Sequence, residues 1–205
     1  MAKKFDRASN TFNINITYKT ATTVTPRTLA VAEAFGLGVD KNRTQILYDD
    51  IQLRIGPKDV VYITGESGSG KSVLLKRLEK LLAPSIFNIK DIHVDREKPL
   101  IDTVGETVEE GLELLSRVGL NDAFLFIRKY SQLSDGQKYR YRIAKLIEAD
   151  RQYWVMDEFC STLDRDTAKI VAYNVQKLAR QEKKAVLAAT THTDLFEDLK
   201  PSVHI

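Results

Sequence analysis

Residues 65–72 read Gly65, Glu66, Ser67, Gly68, Ser69, Gly70, Lys71, Ser72, a glycine-rich stretch closed by a lysine and a hydroxyl. Glycines let the backbone curl so that successive N–H groups face inward. A helix start just beyond adds partial positive charge, and Lys71 supplies a full one. Such a nest holds anionic oxygen. Ser72 can place its hydroxyl on a magnesium ion, which keeps several waters and takes one or two protein ligands beside phosphates. The expected ligand is therefore a magnesium nucleotide, bound through all eight residues of the loop.

A second group of candidates lies at residues 153–158, where Tyr153, Trp154, Val155 and Met156 run into Asp157 and Glu158. An apolar strand ending in two carboxylates can set one on a metal and the other beside an attacking water. Asp157 is the expected magnesium ligand beside Ser72, and Glu158 the expected base that orients and activates water. A third candidate is the helix start Leu133, Ser134, Asp135, Gly136, Gln137, in which Ser134 and Gln137 have the spacing of a capping box. On chemistry alone this is either a well-capped helix or a second phosphate cradle. Phe35, near a helix end upstream of the loop, is a candidate to stack on adenine, with core packing as the alternative.

These residues need elements to position them. Residues 60–63, 153–156 and 185–189 are short unbroken apolar runs, too short for buried helices and rich in strand formers. With helical segments between them, they predict an α/β core around a parallel sheet. Residues 73–82 follow the glycine loop as a helix. Earlier in the chain, alternation at Phe12, Ile14, Ile16 and Tyr18, and again at Ile51, Leu53 and Ile55, predicts half-buried strands of an antiparallel layer. Thr25 followed by Pro26 opens a helix that ends at Gly36. Residues 108–118 and 121–129 read as two short helices, part of a small helical subdomain at about residues 100–150.

Composition bounds the rest. At 205 residues the chain is expected to form one domain, and 43% hydrophobic with 29% charged residues exclude a disordered or collagen-like chain. A net charge of +3 demands no polyanionic partner. Cys160 is the one cysteine, so no intramolecular disulfide can form, and a reducing, cytoplasmic setting is expected. The basic start of the chain, with Lys3, Lys4 and Arg7, is not followed by a signal-peptide apolar stretch, and no run of apolar residues is long enough to enter a membrane directly.

Taken together, residues 133–137 resemble the signature motif of ATP-binding-cassette (ABC) ATPases, with Asp135 where glycine is commoner. Glycine loop, signature, the Asp157–Glu158 strand end and a later histidine follow one another in that family's order over about residues 28–196. The resemblance implies a P-loop nucleotide-binding domain spanning residues 1–205, with a mostly parallel core sheet, an N-terminal antiparallel layer and a small helical subdomain. It further implies that two copies pair head to tail when ATP binds, Ser134 and Gly136 of each capping the γ-phosphate held by the other. Residues 161–164 resemble the dimer-contact loop, and Thr191 with His192 resembles the switch histidine that senses the γ-phosphate. Glu158, His192 and Lys71 are thus the expected catalytic set.

Two departures bear on function. Transporter members carry a glutamine loop that touches magnesium and communicates with the membrane subunit, yet residues 65–131 contain no glutamine. The 63 positions from Lys71 to Ser134 leave room only for a shortened helical arm. Asp95, Glu97 or Asp102 are candidates to replace the missing contact. The chain looks most like soluble ABC-type ATPases, some fused to predicted acetyltransferase domains, so the main expectation is a non-transport ATPase that moves an unidentified protein partner. The alternatives are the ATP-binding subunit of a membrane transporter and a nucleic-acid-associated ATPase. For the last, Lys138, Arg140 and Arg142 form a basic cluster beside the signature, although their alternation with Tyr139 and Tyr141 also suits a solvated helix face.

Overall fold

The computed structural model describes residues 4–20, 23–38 and 43–205. The chain divides into two compact units, Met1–Arg54 and Ile55–Ile205.

In the first unit, β1 (Phe5–Asp6), β2 (Thr11–Thr20) and β3 (Arg43–Arg54) form an antiparallel sheet in that order. The alternation seen in the sequence puts Phe12 and Ile14 in the interior, opposite Leu53 and Ile51, and Phe5 stacks on Phe12 with ring centroids 4.3 Å apart. The register shifts on both sides of Ile16, and Asp50 takes a left-handed φ of 45°. Such a bulge breaks the period of two, so β3 runs well upstream of the alternation at residues 51–55. Helix α1 (Pro26–Ala34) starts where a capping threonine meets a first-turn proline. Thr25 Oγ1 accepts from Thr28 N at 3.2 Å, and Thr28 Oγ1 accepts from Thr25 N at 2.8 Å, which satisfies two otherwise orphaned donors.

The second unit is built on a five-stranded parallel sheet in the order β5-β6-β7-β4-β8. Its three inner strands are the three apolar runs: β4 (Val60–Thr64), β6 (Tyr153–Asp157) and β7 (Ala185–Thr190). The edge strands β5 (Ile86–Asn88) and β8 (Val203–His204) are too short and too exposed to announce themselves by hydrophobicity. Helices α2 (Lys71–Leu82), α3 (Val108–Arg117), α4 (Ala123–Phe126), α5 (Asp135–Glu148), α6 (Arg165–Gln181) and α7 (Phe196–Leu199) complete the unit. Trp154, Tyr62, Tyr141 and Phe159 are the largest fully buried side chains of this unit, each stabilising the fold by roughly 1.5–3 kcal/mol or more.

The helical segment lies at residues 100–148. Thr107 caps α3 by accepting from Glu110 N, and Glu109 and Glu110 fill its first turn, as a helix dipole favours. The helix expected over residues 121–129 is shorter than its sequence suggests. Asp122 caps a single turn, Ala123–Phe126, after which the chain extends so that Lys129 pairs with Pro99 in an isolated antiparallel bridge. Among the described residues no helix is long and apolar enough to cross a membrane.

Candidate functional site

Parallel sheets place ligand-binding loops beyond the carboxyl ends of their strands. Here the candidates follow three adjacent ones. The glycine loop leaves β4, Asp157 ends β6 with Glu158 directly after it, and His192 comes two residues after β7.

The loop's conformation depends on its glycines. Gly70 caps α2 at φ 93°, a left-handed conformation that side chains resist, and it offers no side-chain cap to the N–H groups at the start of α2. At Gly65 a Cβ would lie 2.9 Å from Ser69 Oγ. The Lys71 ammonium lies across the loop, donating to the carbonyls of Gly65 and Glu66, each at 2.7 Å. Glu66, Ser67, Gly68 and Ser69 are exposed.

Ser72, one residue into α2, donates its hydroxyl to Asp157 Oδ1 at 3.0 Å, joining the ends of two elements separated by 85 positions. The same oxygen accepts from the backbone N–H of Glu158 at 3.1 Å. A hydroxyl and a carboxylate in contact supply the hard oxygen donors, in the small number, that magnesium takes from a protein beside phosphate oxygens. The residues present therefore fit the ion. Glu158 is largely exposed at a left-handed φ of 56°, and the chain beyond it returns to the sheet, Phe159 N donating to Ala189 O at 2.8 Å. His192 is held at its backbone: its N–H donates to Thr190 Oγ1 at 3.2 Å, and its carbonyl accepts from the Tyr62 hydroxyl at 2.5 Å.

One residue here was not found by sequence reasoning. Lys90, just after β5, sets its ammonium 3.3 Å from Asp157 Oδ2 and 3.4 Å from Glu158 Oε2. Of the acidic residues expected to make up for the missing glutamine, Glu97 pairs with Lys129 at 2.9 Å and Asp95 with Lys98 at 3.5 Å. Asp102 lines a cavity of about 480 Å³ with Phe87, His93 and Tyr141.

The signature residues stand at the start of α5. Ser134 Oγ accepts from Gln137 N at 3.3 Å while Gln137 Oε1 accepts from Ser134 N at 3.0 Å, so the capping box read from the spacing is present. Ser134 itself is exposed. At Gly136 a Cβ would lie 2.9 Å from Thr167 Cγ2, which makes glycine the residue that lets α5 approach α6. Tyr139 of α5 meets Phe159 edge to face at 6.2 Å, coupling this helix to the loop after Glu158. Each member of the basic cluster makes an intrachain bond: Lys138 donates to Asp135, Arg140 to the Gly119 carbonyl, and Arg142, at a half-buried position, to the Tyr130 hydroxyl. Cys160 is buried, which pushes its thiol up and keeps it from ionising. Phe35 belongs to the first unit, at the end of α1, with 76% of its surface exposed.

A parallel sheet with a glycine loop, a strand-end carboxylate pair and a capped signature helix defines an ATP-binding cassette. Residues 48–161 match the family model described as ABC transporter, and the chain belongs to that family. It is 27% identical over 183 residues to the cytochrome c biogenesis ATP-binding export protein CcmA of Brucella abortus, covering 75% of this chain and 82% of CcmA. It is also 27% identical over 192 residues to the lipoprotein-releasing system ATP-binding protein LolD of Leptospira interrogans, covering 76% of this chain and 80% of LolD. Among solved structures, the dimeric post-hydrolysis form of the ATP-binding cassette MJ0796 bound to ADP and Pi has the same fold, with a TM-score of 0.60 at 18% identity over 91% of this chain and 89% of that one. The protein is an ATPase that uses ATP with Mg2+.

Proposed function

We propose that this chain is the ATP-binding subunit of an ABC system, in which two copies close head to tail on magnesium ATP and separate after hydrolysis. The observation that carries the reading is the 3.0 Å bond between Ser72 and Asp157, which brings the glycine loop and the strand-end carboxylates into one oxygen-lined site. Magnesium, when bound, neutralises charge on the β- and γ-phosphate oxygens. Around it Lys71 and the loop N–H groups hold the phosphates, Ser72 and Asp157 hold the ion, and Glu158 takes the proton of the attacking water. His192, at the end of the central strand β7, contacts the γ-phosphate. Ser134 and the exposed start of α5 complete the site of the opposite copy.

For the partner, the names of CcmA, an ATP-binding export protein, and LolD, the ATP-binding protein of a lipoprotein-releasing system, support a transport system, so the transporter-subunit reading stands ahead of the non-transport ATPase that the sequence first suggests. The non-transport reading keeps the lack of glutamine from residue 65 to 131 and the 63 positions from Lys71 to Ser134 as its support. Copurification with an integral membrane protein separates the two.

The test of the core reading is Glu158→Gln. Phosphate release falls at least 100-fold, within the range a positioned base contributes, and the variant accumulates as a dimer in magnesium ATP, read by light scattering. Wild-type turnover in this variant removes Glu158 from the mechanism.

A further inference from the structure

We infer that Lys90 is a positioning residue of the hydrolytic site, its single ammonium bridging Asp157 and Glu158. The inference rests on the reading of Glu158 as the base, and adds to it a residue that sets that base in place and tunes the charge at the ion.

The scaffold around Lys90 is fixed by elements that also carry the site. Strand β5 pairs with β6 in parallel, Asn88 opposite Val155, two residues before Asp157. Lys90 lies in the 3-10 turn Ile89–Asp91 that follows. Ile89 is buried, Asn88 Oδ1 accepts from Lys90 N at 2.9 Å, and Asn88 Nδ2 donates to Glu79 Oε1 of α2 at 2.5 Å. The turn is thus tied both to the strand that ends in Asp157 and to the helix that begins with Lys71 and Ser72.

The two oxygens of Asp157 divide their partners. Oδ1 takes the Ser72 hydroxyl and the Glu158 N–H, while Oδ2 takes Lys90. The oxygen beside the metal-binding hydroxyl is therefore not the one that Lys90 holds, and the lysine need not leave when the ion arrives. Glu158 has a side chain 72% exposed, and the contact with Lys90 ties its carboxylate to the fold. Ion pairs this exposed add little to stability, so a fold-stabilising role does not account for a cation shared by these two carboxylates. Two adjacent carboxylates repel; a shared ammonium relieves that repulsion and holds the exposed one beside the other. In the segment where transporter members carry a neutral glutamine, this chain brings a positive charge to the site.

Removing that charge has two consequences. The carboxylate pair attracts a divalent ion more strongly, about three- to tenfold for a unit charge near the surface at this range. Glu158 loses its orientation, so kcat falls about tenfold while KM for ATP stays within about twofold. The experiment compares wild type, Lys90→Met and Lys90→Arg in the full chain, titrating Mn2+ by EPR in the presence of ADP and measuring steady-state hydrolysis. Lys90→Met binds Mn2+ more tightly and turns over more slowly; Lys90→Arg keeps wild-type Mn2+ affinity and at least half of kcat. If Lys90→Met folds poorly, Lys90→Gln takes its place. Mn2+ affinity and kcat both within twofold of wild type in the uncharged variant overturn the inference, as does a loss of kcat that arginine fails to restore. The outcome is separable from that of Glu158→Gln, because the Mn2+ arm reads the charge at Asp157 whether or not Glu158 is the base.

Discussion

At the scale of single residues the site is a set of charges held by backbone. Lys71 shows this best, since its ammonium bonds the Gly65 and Glu66 carbonyls and so sits over the loop rather than out in solvent. A charged hydrogen bond is worth about 1.5–3 kcal/mol, which is roughly a 10- to 100-fold change in affinity. Lys71→Ala is expected to weaken ATP binding by that factor or more, measured by calorimetry, with the fold intact because the side chain lies outside the core. An unchanged dissociation constant would show that the loop N–H groups alone hold the phosphates. The residue types at 65–72 and at 157–158 were readable because each is unusual in its place: a glycine where a helix begins, two carboxylates where an apolar run ends. Lys90 was not readable, because a lysine beside a short polar stretch looks like any solvated lysine until the pairing of β5 with β6 is known.

At the scale of elements, legibility followed burial and period. The three inner strands are buried on both faces, so they read as apolar runs; the edge strands, two and three residues long, carry no such mark. Helix starts were readable where a side chain caps them, as at Thr25 and Ser134. Helix α6 has the same device in Asp164, whose carboxylate Oδ1 accepts from Thr167 N at 2.9 Å. The hydrogen bond from the Thr167 side chain, then that from its backbone, holds this carboxyl below its ordinary 3.8. A depressed carboxylate contributes stability that is present above the unfolded value and lost as pH falls through the folded one. Asp164→Asn keeps a capping oxygen but does not titrate. The gap in urea midpoint between wild type and Asp164→Asn is therefore expected to move against wild type between pH 6 and pH 3. A gap that stays constant would mean the cap acts by shape alone.

At the scale of the whole molecule the question is how binding at one loop becomes a change in assembly. Strand β7, with six buried residues between β4 and β6, links the glycine loop, the carboxylate pair and His192 in one rigid layer, while Tyr139 against Phe159 links that layer to the signature helix. Anything that binds only the native state stabilises it by an amount set by its concentration over Kd, about 2.7 kcal/mol at 100 times Kd. For a chain of this size that is roughly 5–10 °C in melting temperature. ADP, held by the glycine loop of one copy, should raise the melting temperature by an amount independent of protein concentration. Magnesium ATP added to Glu158→Gln should instead give a rise that grows with protein concentration, because the bound species is a dimer. Adding Ser134→Arg to that variant sets a bulky cation at the exposed start of α5, and should remove the concentration dependence while leaving the shift that nucleotide gives a single copy. Scans at about 1 and 100 μM protein distinguish these cases: a rise that ignores protein concentration in Glu158→Gln would mean that the nucleotide closes no interface and that the signature helix serves its own chain.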